Sequence, residues 1–115
     1  MRDPARVDRD RSEDMLAAIL KMVERSSAGR QAFEEDELLQ GWLVFQLLIL
    51  GEAAAHVSPA LRDRHPEVPS RQIIDLRNVL IDGYSTVDYG IVWWVVERDV
   101  PELRRAIAAI LEQLS

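Results

Sequence analysis

The segment from Asp36 to Val57 is apolar on almost every side of a helical wheel. Its apolar positions are Leu38, Leu39, Trp42, Leu43, Val44, Phe45, Leu47, Leu48, Ile49, Leu50, Ala53, Ala54 and Val57. A surface helix carries one apolar stripe, so this helix must be covered on more than one side. Either neighbouring helices of the same chain or a second copy of the chain can cover it. We expect a homodimer, because a short bundle has few helices with which to surround a central one.

Apolar residues at helical spacing recur in four other parts of the chain. They predict helices over about residues 4–25 and 71–81, a helix that carries residues 91–96, and a last helix from Asp99 to Leu114. No alternating pattern of a half-buried strand competes with them. At 115 residues the chain has the length of one ordinary domain. We therefore expect an all-α fold, an up-and-down bundle of about five helices that forms a single domain over residues 1–115.

Residues that begin or end helices support these boundaries. Pro59 ends the long helix and can start a short turn. Ser70 is placed to cap the helix over 71–81, and Gly83 to end it. Either Thr86 or Asp88 can cap the next helix.

Composition excludes several kinds of function. The absence of cysteine excludes disulfides, thiolate-bound metals and a thiol nucleophile. No His or carboxylate cluster has metal-ligand spacing, so neither a metal nor a cofactor is expected. The net charge of −6 argues against an extensive grip on duplex nucleic acid. A confined site for single-stranded RNA stays open, because net charge constrains a small pocket poorly.

The N-terminus is densely charged and no apolar core of a signal peptide follows it. The longest apolar run, Trp42 to Leu50, is shorter than the roughly 20 residues that a membrane span needs. We therefore expect a cytoplasmic protein without a membrane partner.

Arg77 is predicted inside the apolar arc of its helix, about 40° from Ile73 and about 60° from Leu80. A guanidinium keeps its charge, so on a buried face it needs a carboxylate, a carbonyl cage or an anionic ligand such as phosphate. Glu52 is the one carboxylate within the apolar body of the long helix, and it can pair with Arg77. Pairing and anion binding are compatible, because a carboxylate often holds an anion-binding Arg in place.

Asp82 is predicted at the C-terminal end of the same helix, where the macrodipole disfavours an anion by about 0.3–1 kcal/mol. It lies about 140° around the wheel from Arg77. The two side chains can converge only if the helix unwinds before Gly83, or across a dimer axis. Otherwise Asp82 is a solvated residue before a turn glycine. The phenol of Tyr84, on the turn, can stack, hydrogen-bond or be modified.

The run from Arg77 to Trp93 resembles the signature of the HepT-like proteins, a branch of the HEPN superfamily. That signature is Arg, four to six residues, His, one residue and Tyr. The joint order of further similar segments is distinctive, whereas each alone is weak. These segments are Met1-Arg2-Asp3-Pro4, Gly51-Glu52-Ala53-Ala54, the connection from Pro59 to Pro69, and Asp99-Val100-Pro101-Glu102-Leu103.

The resemblance implies an all-α homodimer in which Arg and His from both subunits line a cleft that cuts RNA without a metal. Arg77 would hold the scissile phosphate and Asn78 would orient the site. The His would move protons to or from the attacking 2′-hydroxyl and the leaving oxygen. The resemblance also implies the toxin of a toxin–antitoxin module. Its antitoxin is an MNT-type minimal nucleotidyltransferase that adds AMP to the Tyr of the motif, and Tyr84 matches that acceptor.

Asp82 stands where the HepT-like pattern has its His. Aspartate is ionised at neutral pH, so it can act as a weak base but is a poor proton donor, and its charge repels phosphate. We therefore expect a ribonuclease activity that is weakened or lost. His56 and His65 show no partner spacing that builds a replacement site. The alternative is a non-catalytic dimeric module that binds the nucleotidyltransferase antitoxin and presents Tyr84 for AMP addition.

Overall fold

Helices account for most of the described chain. The computed structural model describes residues 3–114, apart from the side chain of Tyr84. Within this part there are seven α-helices, one 3-10 turn and no strand, which confirms the predicted all-α class. The elements are α1 Pro4–Ser26, α2 Arg30–Glu35, α3 Glu37–Ala55, α4 Pro59–Arg64, α5 Ser70–Asp82, the 3-10 turn Tyr84–Thr86, α6 Tyr89–Arg98 and α7 Val100–Leu114.

The five predicted helices correspond to α1, α3, α5, α6 and α7. The short turn expected after Pro59 is α4. The sequence did not predict α2, because six residues are too few to show helical periodicity. Its position is fixed by Phe33, which is 1% exposed and whose ring centroid lies 5.2 Å from that of Trp93 on α6.

The centre of the bundle is α3, which packs between α1 and α5. Asp36 begins the helix by accepting a hydrogen bond of 3.1 Å from the backbone N–H of Leu39. The inward face of α3 is fully packed, since its apolar side chains there are at most 2% exposed. These side chains are Leu43, Leu47, Leu50 and Ala54.

The outward side of α3 is not covered within one chain. Leu38 is 86% exposed and Phe45 is 55% exposed, while Trp42 and Ile49 are half-buried. These positions share one side of the helix, because they follow one another at intervals of three or four residues. Neighbouring helices of the same chain therefore surround α3 only in part.

By length and composition alone, α3 could cross a membrane, and it is the one described helix for which this holds. The run from Trp42 to Leu50 is shorter than the apolar part of this helix, which has 19 residues and contains an 18-residue stretch with a mean hydropathy of 1.5. A buried core helix meets the same criteria. Eight residues of α3 are buried within the described chain.

The helix boundaries near the predicted site are decided by backbone contacts. The prediction that Ser70 caps α5 is wrong, because Ser70 is already helical and Pro69 occupies the cap position without a side-chain hydrogen bond. Gly83 ends α5, as predicted, and its N–H donates to the carbonyl oxygen of Val79 at 2.9 Å. Of the two candidates for the next cap, Asp88 rather than Thr86 caps α6.

The C-terminal end of α3 is attached to α1 and α4 by buried polar contacts. Asp8 on α1 is 6% exposed and accepts hydrogen bonds from the backbone N–H and the hydroxyl of Ser58, at 2.8 and 2.7 Å. Arg62 on α4 donates through Nη2 to the carbonyl oxygens of Ala54 and Ala55, both at 3.0 Å. The contacts of Arg62 satisfy carbonyl groups that the end of α3 leaves unpaired, while Asp8 holds the residue that begins α4.

Candidate functional site

Arg77 lies on the face of α5 that packs against α3. The neighbouring turns of that face carry Ile73 and Leu80, which are 8% and 5% exposed. The side chain of Arg77 is 19% exposed, in agreement with its predicted place inside the apolar arc. Because a guanidinium keeps its charge, this degree of burial requires a partner.

Gly51 on α3 makes room for the stem of the Arg77 side chain. A Cβ atom at Gly51 would overlap the Cβ of Arg77 and lie 2.7 Å from its Cγ. The obstacle is the beginning of a side chain, which cannot move unless the helix backbone moves with it. Any larger residue at position 51 would therefore push α3 and α5 apart and displace Arg77.

Glu52, the residue after Gly51, binds the guanidinium of Arg77. Nη1 of Arg77 donates to Oε2 of Glu52 at 2.6 Å, so the ion pair considered from the sequence is present. Such a charge-assisted hydrogen bond is short and directional. Glu52 is 52% exposed, so the pair contributes little to the free energy of unfolding. Its main consequence is the fixed orientation of the guanidinium.

His56 lies one helical turn after Glu52. Its Nδ1 is 2.9 Å from the carbonyl oxygen of Glu52 and 3.5 Å from the Oε1 atom of the same residue. Both of these neighbouring atoms are hydrogen-bond acceptors, so Nδ1 carries the proton and Nε2 keeps its lone pair in the neutral imidazole. Sequence reasoning missed this contact. The spacing of Glu52 and His56, four residues apart on one helix, was the signal that could have revealed it.

An open groove of about 430 Å³ lies between α1 and α5 and passes over α3. Arg11 in this groove pairs with Asp14 at 3.9 Å, whereas Lys21 has no ion pair among the described side chains. The cations of the groove outnumber its carboxylates, although the whole chain has a net charge of −6. The charged and polar side chains that line it are Arg11, Asp14, Lys21, Gln46, Glu52 and Arg77.

Gln46 places an unpaired amide between this groove and an adjoining concavity of about 230 Å³. The residue is 3% exposed, and its Oε1 has no hydrogen-bond partner within residues 3–114. The Nε atom of Arg77 is unpaired in the same way. Buried polar atoms are normally hydrogen-bonded, so these two atoms can bind a ligand or water that enters the groove.

Asn78 and Asp82 do not join the cluster around Arg77. Both are exposed, and their side chains make no hydrogen bond or ion pair in the part of the chain that the structure describes. Because α5 remains helical through Asp82, the unwinding that could bring Asp82 to Arg77 within one chain does not occur. The backbone of Tyr84 begins the 3-10 turn, while its side chain lies outside the described residues.

His65, the other histidine, lies against a different carboxylate from His56. His65 follows α4, and its Nδ1 lies 3.1 Å from Oε1 of Glu67 in the connection to α5. Neither His65 nor His56 lines the groove of Arg77, but His56 contacts Glu52, which does line it. Among residues 3–114, no group of three or more His, Asp or Glu side chains is placed to hold a metal ion.

Comparison with known proteins agrees with the sequence pattern. The family model described as ribonuclease HepT-like matches residues 13–110. A protein of Thermococcus cleftensis named "Probable ribonuclease HepT" is 31% identical over 102 residues, which cover 86% of this chain and 91% of that protein. No solved structure matches the chain significantly.

Two further relatives, both named "Putative RNase", match over shorter segments. One from Caldanaerobacter subterraneus is 33% identical over 81 residues, covering 70% of this chain and 72% of that protein. One from Methanocaldococcus jannaschii is 30% identical over 78 residues, covering 68% and 72% respectively. The chain therefore belongs to the HepT-like ribonuclease family.

Proposed function

We propose that this chain is a ribonuclease that cleaves single-stranded RNA without a metal, at the groove beside Arg77. One observation carries the proposal: the side chain of Arg77 is largely buried, its Cβ and Cγ lie against Gly51, and its guanidinium is bound by Glu52 at an open groove. Arginine has five N–H donors, and Glu52 engages Nη1 alone. The remaining donors can bind the two non-bridging oxygens of a phosphate and stabilise the charge that develops there during cleavage.

The groove favours a short single strand over a duplex. Lys21 and Arg11 lie on the wall opposite Arg77, where they can contact phosphates of neighbouring nucleotides. A few local cations of this kind suffice for a short strand, whereas duplex binding requires many phosphate contacts. The negative net charge of the chain opposes such extensive contacts.

The activity is proposed to be weaker than that of relatives that carry His at the position of Asp82. Asp82 is exposed and does not contact Arg77 within one chain. As an ionised carboxylate it repels the substrate phosphate and is a poor proton donor.

The active form is proposed to be a homodimer. The outward stripe of α3 exposes Leu38 and Phe45, and exposed apolar patches of this kind mark protein interfaces. The stripe continues to Glu52 and His56 on the same side of the helix, so a second copy bound there would lie against the site.

We place this homodimer in the cytoplasm, as the toxin of a toxin–antitoxin module with an MNT-type nucleotidyltransferase as antitoxin. Membership of the HepT-like family supports this role.

The experiment is cleavage of a labelled single-stranded RNA in the presence of a chelator. We expect Arg77→Ala to lower the cleavage rate by about 100-fold, the loss seen when one group that stabilises developing charge is removed. Arg71→Ala is the matched control, since Arg71 is an exposed arginine on the same helix and outside the groove. The variant Asp82→His should cleave faster than the natural chain. If neither the natural chain nor Asp82→His cleaves RNA while both stay folded, the ribonuclease proposal is wrong.

A second candidate function is a non-catalytic module that binds the nucleotidyltransferase and presents Tyr84 for AMP addition. It is favoured by the separation of Asp82 from Arg77, and by the place of Tyr84 in a turn whose next residues, Ser85 and Thr86, are exposed. This candidate predicts no cleavage. It predicts a mass increase in units of AMP when a cognate nucleotidyltransferase and ATP are supplied, and Tyr84→Phe should abolish that increase.

A further inference from the structure

We infer that His56 is the general base of this ribonuclease and takes the role that the motif position can no longer perform. The inference rests on the proposed function. The observation behind it is the series of contacts from Arg77 through Glu52 to His56, in which one carboxylate lies between a guanidinium and an imidazole. Oε2 accepts from Nη1 of Arg77 at 2.6 Å, and Oε1 lies 3.5 Å from Nδ1 of His56. The proposed phosphate-binding group and an imidazole are thus separated by a single side chain.

The contacts of His56 prepare it to accept a proton. Nδ1–H donates to the carbonyl oxygen of Glu52 at 2.9 Å, which orients the ring and selects the tautomer with a lone pair on Nε2. Nε2 has no partner among the described residues, and the side chain is 49% exposed. The imidazolium formed after proton uptake would be stabilised by the carboxylate of Glu52, as an acidic partner stabilises a catalytic His in other enzymes.

Each step of the reaction balances in atoms and charge. Nε2 of His56 accepts the proton of the 2′-hydroxyl while the 2′ oxygen forms a bond to phosphorus. The bond between phosphorus and the 5′ oxygen of the next nucleotide breaks, and charge on the non-bridging oxygens is stabilised by Arg77. The imidazolium then returns the proton, through water, to the leaving 5′ oxygen. The products are a 2′,3′-cyclic phosphate and a 5′-hydroxyl, with His56 neutral again.

The surroundings of His56 distinguish it from the other candidate bases. The charged groups at this end of α3 include Glu52 on the same helix, Arg77 on α5, Arg62 on α4, and Asp8 on α1, which binds Ser58. Asp82 is exposed and free of contacts with these groups. An imidazole changes charge between about pH 5 and 8, whereas a carboxylate base stays ionised down to about pH 4. The pH dependence of cleavage therefore tells the two apart.

The experiment measures cleavage of single-stranded RNA by the full-length protein from about pH 4.5 to about pH 8.5, a range in which an imidazole titrates and a carboxylate stays largely ionised. The variants are His56→Gln, the double variant His56→Gln with Asp82→His, and His65→Gln as the matched control. His65 is the other histidine of the chain and contacts Glu67, which does not line the groove, rather than Glu52. Thermal unfolding of each variant confirms that the fold persists.

We expect the natural chain to lose activity toward acid pH. His56→Gln should lower its rate by at least about tenfold and remove that acid decline, in line with the contribution of general bases. His65→Gln should behave as the natural chain. The double variant should retain most of the activity of the single variant Asp82→His, because the imidazole introduced on α5 then supplies the base.

Three outcomes count against the inference in different ways. If His56→Gln cleaves like the natural chain with the same pH profile, the inference is wrong and the ribonuclease proposal stands. The same conclusion holds if the natural chain is inactive and Asp82→His alone cleaves. If no variant cleaves, the ribonuclease proposal fails, and the role of His56 fails with it.

Discussion

Arg77 and Glu52 meet through a 2.6 Å hydrogen bond between Nη1 and Oε2, directly beside the point where α5 crosses over Gly51. Two adjacent residues of α3 therefore contact one arginine. Gly51 leaves space for the Cβ and Cγ atoms of Arg77, and Glu52 orients its guanidinium. The segment Gly51-Glu52-Ala53-Ala54 is thus explained by what it does to a side chain on another helix.

The carboxylate of Glu52 is expected to position Arg77 rather than to stabilise the fold. Glu52→Gln should lower kcat by about tenfold or more, because the guanidinium loses its directing charge. KM should not rise, since removal of a negative charge does not weaken phosphate binding. The melting temperature should change little, because Glu52 is half-exposed and the amide oxygen of glutamine can still accept a hydrogen bond from Arg77. Glu37→Gln, which removes an exposed carboxylate from the first turn of α3, is the kinetic control. An unchanged kcat in Glu52→Gln would contradict the positioning role.

Two glycines of α3 are predicted to respond to alanine in opposite directions. Gly51→Ala should lower the free energy of unfolding by about 1–3 kcal/mol, because the added Cβ overlaps Arg77. Gly41→Ala should raise it by up to about 1 kcal/mol, since a Cβ there meets nothing within 4 Å and alanine favours the helix. Urea unfolding followed by circular dichroism measures both changes. A Gly51→Ala protein as stable as the natural chain would show that α3 and α5 can separate at low cost.

The outward stripe of α3 is predicted to form the dimer interface. Phe45 is 55% exposed, and Phe45→Asp should convert the dimer to a folded monomer in sedimentation experiments. Ile91→Asp is the control, because Ile91 is 54% exposed but lies on α6. A natural chain that is monomeric at high concentration would refute the homodimer. A dimer that tolerates Phe45→Asp would place the interface elsewhere.

The cap of α6 provides a test of the turn that carries the family motif. Asp88 Oδ1 accepts from the backbone N–H groups of Gly90 and Ile91 at 2.9 and 3.3 Å. Asp88→Ala should therefore cost about 1 kcal/mol of stability, whereas Thr86→Ala should change it by less than about 0.5 kcal/mol. Chemical unfolding of the two variants side by side gives the comparison. A larger loss for Thr86→Ala would show that the cap is assigned to the wrong residue.

The buried contact between Asp8 and Ser58 is predicted to contribute to stability. Asp8→Asn replaces one accepting oxygen with a donor group and leaves a polar atom of the contact unpaired, at a cost of about 1–3 kcal/mol. Asp10→Asn, at an exposed position of α1, should have little effect. Equal unfolding midpoints for the two variants would show that the contact is not needed.

Local residue patterns in the sequence were sufficient to predict much of the fold and part of the candidate site. The spacing of apolar residues predicted five helices and placed Arg77 on a buried face, because the burial of a helix face depends on residues of the same helix. Gly83 as the end of α5 followed from the same kind of local information. The ion pair of Arg77 with Glu52 was one of the alternatives that the sequence left open for the partner of Arg77, because Glu52 is the one carboxylate within the apolar body of the long helix.

Features that depend on contacts between distant segments were not predictable from the sequence. Ser70 was predicted to cap α5, but the backbone is already helical there. Whether Thr86 or Asp88 caps α6 depends on the geometry of the turn before that helix. The helix α2 was not predicted, because its six residues show no helical periodicity. His56 was set aside for lack of a partner, although Glu52 lies one turn before it.

The order of residues along the chain therefore determined the all-α class, the main helices and the family, because periodicity, capping and motif spacing are local properties. Tertiary structure alone decided that Gly51 lies under Arg77, that one carboxylate bridges an arginine and a histidine, and that Asp82 stays apart from them. The physical reason is that these relationships depend on how closely α3 and α5 approach, and that distance is set by the packing of the whole bundle.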